Sequence, residues 1–245
     1  MAEEAGLVAG WHAVFAALRG GAARQVWLRR GREDRRSAEL QALARERGVP
    51  LQLVEGSELD RRAPDVNHQG VLAQVNAGRA LGEPDLEALL DGLGHAPFLL
   101  VLDGVQDPHN LGACLRTADA AGVDAVIAPR DRAVGLTPVA RKAAAGAAEV
   151  LPFIQVTNLA RSLRELQQRG IWVIGAAGEA GQSLYQTDLK GPLALVLGAE
   201  EKGLRRLTRE HCDLLVRIPM RGSVESLNVS VAAAVCLYEA LRQRG

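Results

Sequence analysis

Two hydrophobic periods alternate along the chain, and the alternation predicts its elements. Apolar positions recur at helical spacing from Trp11 to Leu18. They do so again from Ser37 to Arg47, where Leu40, Leu43 and Ala44 share one face. Short apolar runs at Gln25 to Leu28, Leu51 to Val54 and Gly70 to Val75 read as strands. Gly48-Val-Pro stops the second helix, and a short helix follows Ser57. Residues 1–77 therefore read as a small α/β unit. Residues 78–95 lose the pattern. Gly78, Gly82, Pro84, Gly92 and Gly94 interrupt it, and four acids (Glu83, Asp85, Glu87, Asp91) face one arginine, Arg79. That stretch reads as a linker carrying one short helix, Pro84 to Leu90.

From residue 96 to 245 the order becomes strand, polar or glycine-rich turn, helix, repeated. Strands are expected at 98–102, 124–128, 151–154, 171–175, 193–197 and 214–218. Helices are expected at 111–121, 137–145, 157–169, 203–210 and 228–243. This pattern predicts a mainly parallel sheet with helices on both faces.

Composition changes the picture in few places. No run approaches the 18 or so apolar residues of a membrane span, and the acidic start Met-Ala-Glu-Glu is unlike a secretory signal. The three cysteines, Cys114, Cys212 and Cys236, lie far apart and suit a reducing compartment. A cytoplasmic protein is expected. The five histidines lack metal-ligand spacing, so no metal is expected. Net charge is zero, yet only Lys142, Lys190 and Lys202 are lysine, leaving 26 of the 29 cations as arginine. Between Arg19 and Arg36 seven arginines meet two acids, a local net of +5. Such a run suits phosphate contact and equally suits a solvated surface. Its candidate RNA-binding members are Arg29, Arg30, Arg32, Arg35 and Arg36.

The candidate chemistry lies in three segments, each following a strand-like run. They are Asn110-Leu-Gly-Ala-Cys-Leu-Arg116-Thr-Ala, Gly198-Ala-Glu200-Glu-Lys-Gly203, and Ile218-Pro-Met-Arg-Gly-Ser-Val-Glu-Ser226-Leu-Asn228-Val-Ser. Ligands of open α/β sheets bind at the carboxyl ends of strands. Gly198 and Gly222 permit close backbone approach. Ser226 and Asn228 fall where they would cap the last helix or hold a ligand near its positive end. Asp107-Pro-His-Asn110 reads as a turn and helix cap, or as a loop that presents Asn110. In the second case Asn110 precedes the helix and Arg116 reaches back over its first turns. Gly175-Ala-Ala-Gly178-Glu-Ala-Gly181 lacks the dinucleotide-binding spacing, and no phosphate-cradling Gly-Lys-Ser/Thr loop occurs.

In this order and spacing the three segments resemble the SpoU class of RNA 2′-O-ribose methyltransferases, within the SPOUT superfamily. The similarity runs through nearly the whole chain. Trp11-His12-Ala-Val, His68-Gln69-Gly70, Leu102-Asp-Gly-Val, Asp107-Pro-His-Asn-Leu-Gly, Val156-Thr-Asn-Leu-Ala-Arg and Leu207-Thr-Arg-Glu-His-Cys-Asp are similar to the branch that methylates a guanosine in the P loop of 23S rRNA. The pair Glu201-Lys202 departs from that branch and leaves the frame of Gly198, Glu200 and Gly203 intact.

The resemblance implies an α/β fold of two parts. The first is an L30e-like RNA-binding domain (1–77). After the linker (78–95) comes a SPOUT methyltransferase domain (96–245) with a trefoil knot near its C-terminus. It implies S-adenosyl-L-methionine as cofactor, held around Leu197, Gly198, Ile218, Met220 and Leu227. It puts Asn110, Arg116, Glu200, Ser226 and Asn228 in catalytic or substrate positions. Its implied partners are 23S rRNA, or a large-subunit assembly intermediate, and a second copy of the chain in a homodimer. Two rival readings remain, a tRNA 2′-O-methyltransferase and a non-catalytic ribosome-assembly factor. The guanidinium pKa, above about 12, makes arginine a strained base. Arg116 is therefore expected as an electrostatic clamp on the 2′-oxygen or a neighbouring phosphate.

Overall fold

Each hydrophobic period folds as its own kind of element, and capping residues set where the helices begin. The computed structural model describes residues 6–64, 66–75, 81–199 and 202–245. Its contacts divide the chain into two units: residues 1–79 with 145–150, and residues 80–144 with 151–245.

The first unit runs β1 (Gly6–Ala9), α1 (Trp11–Arg19), β2 (Ala23–Arg29), α2 (Arg35–Glu46), β3 (Leu51–Val54), α3 (Gly56–Arg62) and β4 (Val71–Val75). Its sheet order is β1-β4-β2-β3; β4 pairs antiparallel with β1 and β2, and β2 pairs parallel with β3. Helices α1 and α2 bury Val14, Leu18, Leu40 and Ala44 on one side, against Val26, Leu28, Val71 and Ala73. On the other side Leu59 of α3 packs with Trp27, Val54 and Leu72. Helix α2 starts at Arg35, two residues before the expected Ser37. The cause is Asp34, whose Oδ1 accepts from Ser37 N (2.8 Å) while Asp34 N donates to Ser37 Oγ (3.0 Å). This reciprocal cap satisfies two amide donors at the helix start.

The second unit runs α4 (Glu83–Gly92), β5 (Phe98–Asp103), α5 (Pro108–Ala120), β6 (Ala125–Pro129), α6 (Pro138–Ala143), β7 (Phe153–Val156), α7 (Leu159–Gln168), β8 (Trp172–Ala176), β9 (Gln182–Ser183), β10 (Leu193–Gly198), α8 (Arg206–Glu210), β11 (Leu214–Arg217) and α9 (Val229–Arg244). The strand order is β7-β6-β5-β10-β8-β11-β9, and every pairing between neighbouring strands is parallel. Alternate residues serve opposite faces. Leu99, Val101, Ala194 and Val196 pack with α4 and α7 on one side. On the other side α5 lies against α6 and α9, and α9 reaches β10. The stretch read as a linker thus carries α4, whose Leu86 and Leu90 are buried in this core.

Two contacts fasten the frame beneath the strand ends. Gly112 lets α5 touch α6 backbone to backbone: a Cβ there would lie 2.4 Å from Ala143 Cβ and 2.5 Å from Ala140 O. Asp103, fully buried at the end of β5, accepts from Arg205 N (2.8 Å) and Arg205 Nε (2.5 Å). At the far end of α9, Arg244 donates to Gly191 O (2.7 Å) and Ala96 O (3.0 Å) and stacks on Phe98, 4.6 Å from its ring centre.

Candidate active site

The carboxyl edge of the parallel sheet gathers four chain segments: the start of α5 after β5, the turn after β8, the turn after β10, and the stretch from β11 to α9. Strands β10 and β11 flank β8. Their ends therefore stand about 10 Å apart, twice the spacing of neighbouring strands.

At β10 the chain folds back on itself. Gly203 N donates to Ala199 O at 2.8 Å, and Gly203 takes a φ of 60°. A Cβ on Gly198 would sit 2.0 Å from Gly203 C and 2.3 Å from Leu204 N. Gly198 is thus a place where two backbones touch, and no other residue fits without moving one of them. Leu197, buried within β10, supports this turn from below. Glu200 and Glu201 lie outside the described residues.

Beyond β11, Ile218, Met220 and Leu227 are half-buried, while Ser226 is exposed in the irregular stretch before α9. Asn228 is the N-cap of α9: its Oδ1 accepts from Ser230 N (2.9 Å) and Ser230 Oγ (2.6 Å). That fixes its amide, and Nδ2 donates to Asn110 Oδ1 at 3.1 Å. Asn110 was expected as the loop residue before the helix; it is instead the third residue of α5. Asp107 supplies the cap, accepting from His109 N at 2.8 Å, and Pro108 opens the first turn, where a missing amide costs nothing. The result joins the N-termini of a 13-residue and a 16-residue helix through one side-chain bond. Both helix ends carry partial positive charge, which suits a phosphate or a developing oxyanion.

Arg116 is exposed on α5. Six residues place it about 120° around the axis from Asn110, so the helix does not hold the two side by side. Two of the three cysteines are held as thiols. Burial, helped by Asp213 and Asp103, pushes the Cys212 thiol up to about 12, and burial alone does the same for Cys236.

One element of the site escaped the sequence reading. The turn Ala177–Gly181 after β8 stands between the ends of β10 and β11. Arg217 Nη1 holds it by donating to Ala180 O (2.5 Å) and Gly181 O (2.9 Å), and Arg209 pairs with Glu179. A Cβ on Gly178 would meet Glu225 O at 3.8 Å, so this turn approaches the β11–α9 stretch. Its glycines were weighed only against the dinucleotide pattern, which they do not match. Chain order gives no further signal, because β8 comes to lie between β10 and β11 only in the sheet.

With this arrangement in view, the relatives can be compared. The sequence profile of the SpoU rRNA Methylase family matches residues 97–238. The chain belongs to the SpoU rRNA methylase family. A second profile, RNA 2′-O ribose methyltransferase substrate binding, matches residues 7–80. The 23S rRNA (guanosine-2′-O-)-methyltransferase RlmB of Pseudomonas syringae pv. tomato is 60% identical over 237 residues, covering 96% of this chain and 94% of that one. Its namesake in Pseudomonas putida is 59% identical, with coverage of 96% and 95%. Among solved structures, the SpoU methyltransferase AviRb from Streptomyces viridochromogenes, in complex with AdoMet, superposes with a TM-score of 0.79. It is 26% identical, covering 98% of this chain and 90% of that one.

The strand-end segments fit an adenosine-bearing sulfonium. Beyond Arg217 the backbone lies outside the ladder, and Ile218, Met220 and Leu227 offer apolar surface for a flat base. Among the described residues, no group of histidine, cysteine or acidic side chains is placed to hold a metal, and no helix is long and apolar enough to cross a membrane.

Proposed function

We propose that this chain transfers a methyl group from S-adenosyl-L-methionine to the ribose 2′-hydroxyl of a guanosine in the P loop of 23S rRNA. The observation that carries the chemistry is the Asn228–Asn110 bond, which brings the first and third motif segments together at two helix N-termini. Relatives of that activity, 59% and 60% identical across nearly the whole chain, support the target.

When bound, the cofactor supplies an electrophilic methyl on a sulfonium, and the chain's own residues do the rest. Backbone at Gly198, Ile218, Met220 and Leu227 would hold the adenosine and amino-acid portions, with Leu197 as floor. Asn110 and Asn228 orient the ribose, and the paired helix ends stabilise charge developing on its 2′-oxygen. Arg116 clamps the 2′-oxygen or the neighbouring phosphate as a fixed cation. The 2′-proton leaves to a water, with Ser226 or Asn110 guiding it by hydrogen bonding, and Glu200 orients Arg116 or the substrate. Positioning alone is worth about 7–11 kcal/mol of barrier.

The domain reading is an L30e-like RNA-binding part ending near residue 77 and a methyltransferase part from residue 96, with Arg29, Arg30, Arg32, Arg35 and Arg36 as the RNA-facing set. A trefoil knot in the second part is supported by strand order: β10 lies between β5 and β8, both earlier in the chain. A homodimer is supported by α9, where Val231 and Tyr238, seven residues apart, expose apolar surface on one face. The proposed action on ribosomal RNA supports the reading of a cytoplasmic protein.

The test uses purified protein, radiolabelled S-adenosylmethionine, an unmodified 23S fragment bearing the P-loop hairpin, and total tRNA, followed by digestion to nucleosides. 2′-O-methylguanosine from the 23S fragment alone is the expected result. Label in tRNA alone would move the target. No label in any RNA, ribosomal precursors included, would overturn the reading.

A further inference from the structure

The first unit contains an open cleft of about 560 Å³, its walls including Trp11, Arg29, Arg32, Arg36, His68 and Gln69. Its floor is a tight turn in which Val71 N donates to His68 O at 2.9 Å. Both central residues, Gln69 and Gly70, have positive φ (52° and 84°), the requirement of a type I′ turn. His68 braces this turn with both ring nitrogens. Nδ1 accepts from Gly70 N (2.9 Å), which leaves Nε2 to donate to Asp60 Oδ1 (2.9 Å).

Arg32 braces it from above. It donates to Gln69 O (2.6 Å), pairs with Asp34 (2.7 Å) and lies 4.8 Å from the centre of the Trp11 ring. A Cβ on Gly70 would come within 3.1 Å of Arg32 Nη1, so glycine there makes room for the guanidinium.

Arg29 and Arg36 differ. Both are exposed, both line the cleft, and among the described residues neither side chain has a hydrogen bond or an acidic partner. The other two arginines of the expected RNA-facing set do not line it. Arg30 lies beside Glu55 (3.6 Å) and Arg35 beside Glu39 (2.9 Å). Among the described residues the one carboxylate lining the cleft, Asp60, is engaged by His68. Among the described residues the cleft thus holds three guanidinium groups against one engaged carboxylate, and it is too open to enclose a small metabolite.

We propose that this cleft is an RNA subsite: Arg29 and Arg36 grip a backbone phosphate of an unpaired stretch, and the Arg32–Trp11 stack offers a platform for the adjoining base. It rests on the proposed action on RNA and narrows it, since only three of the five expected arginines take part. Guanidinium forks match phosphate geometry, and unpaired nucleotides are read by stacking on aromatic and guanidinium planes. A mostly polar lining with so few acids disfavours an apolar or basic peptide.

The test is fluorescence anisotropy of the full-length protein with a labelled 23S P-loop hairpin over a salt series, using R29A, R36A, their double variant, R30A and R35A. Melting temperature and cofactor affinity, read by calorimetry, show that each variant folds. R29A and R36A should each weaken binding about five- to tenfold and lower the salt slope by about one. R30A and R35A should change binding by less than about twofold. Two outcomes overturn the cleft while leaving the proposed methylation intact: a double variant that binds like the parent, or equal losses at all four positions. A parent protein that neither binds nor methylates the hairpin overturns both, and would turn attention to a protein ligand for the cleft.

Discussion

In the second unit the candidate site is made of backbone brought together where glycine leaves no side chain. In the first unit the cleft is made of long guanidinium side chains laid over one turn. The contrast lies in tolerance. At Gly198 a single added methyl would fall 2.0 Å from another backbone carbon. At Arg29 or Arg36 the exposed side chain can be cut back without bringing any backbone into collision. A site that must align one methyl with one oxygen needs the first kind of construction. A site that holds a flexible polyanion is served by the second.

The sharpest way to break this comparison is Gly198→Ala. It should abolish methylation and bring cofactor binding below detection in calorimetry, with a stability loss of about 3 kcal/mol, the upper range for overpacking. Near-normal cofactor affinity in that variant would show that the crossing can yield. Next in size, Arg205→Ala takes the guanidinium from the buried Asp103 carboxylate and leaves it the backbone bond alone. A loss of about 3 kcal/mol is expected in urea unfolding, toward the low end for a broken buried pair because Arg205 is 40% exposed. Gly112→Ala forces α5 off α6 and should cost about 1–3 kcal/mol, lowering the melting temperature by roughly 2–4 °C per kcal/mol.

Asn228 separates stability from chemistry. Asn228→Ala loses the cap, worth about 1 kcal/mol, together with the bond to Asn110. Asn228→Asp keeps a capping oxygen, replaces the donor to Asn110 by an acceptor and adds a negative charge. It should melt near the parent yet lose about tenfold in kcat/KM, as one interaction of about 1.4 kcal/mol would give. Parent-like rates would mean that the Asn110–Asn228 bond is structural.

The smallest effect is in acid. Hydrogen bonds from Arg242 and Gln243 lower the Glu239 carboxyl from its ordinary 4.5 to about 2. Between those values the folded chain binds fewer protons than the unfolded one. The contribution of Glu239 is therefore complete above about 4.5 and fades as the pH falls toward 2. Glu239→Gln should flatten the stability–pH curve in that window; above it the variant should lie below the parent by a constant margin, with the slope near neutrality unchanged.

The parallel sheet was the most legible part of the sequence, because six apolar runs each carry a turn signal and all six became strands. Two strands were missed. β1 has only four residues, two of them the small Gly6 and Ala9, and β9 has two; neither is long enough to show a period. The start of α5 was placed too late because Asp107-Pro-His reads equally as a loop. Only the bond from His109 N shows Asp107 to be a cap. The motif residues are visible as letters, but the way Asn228 turns its amide toward Asn110 depends on Ser230 holding the other end. The arginine run showed its charge and not its direction. Which members face the cleft depends on Glu55 and Glu39 drawing Arg30 and Arg35 elsewhere.

The place of β10 also bears on how the chain is made. During synthesis β5 and β8 emerge first, and the strand that belongs between them follows only with residues 193–198. Until then Leu99 to Leu102 and Val173 to Ile174 present unpaired edges on either side of a gap. The sheet cannot close from the N-terminus onward, because its centre is among the last parts translated. Such late, long-range pairing is slow and leaves sticky edges waiting. A pause in translation shortly before residue 193 should therefore harm yield far more than one after residue 217, once β11 is also in place.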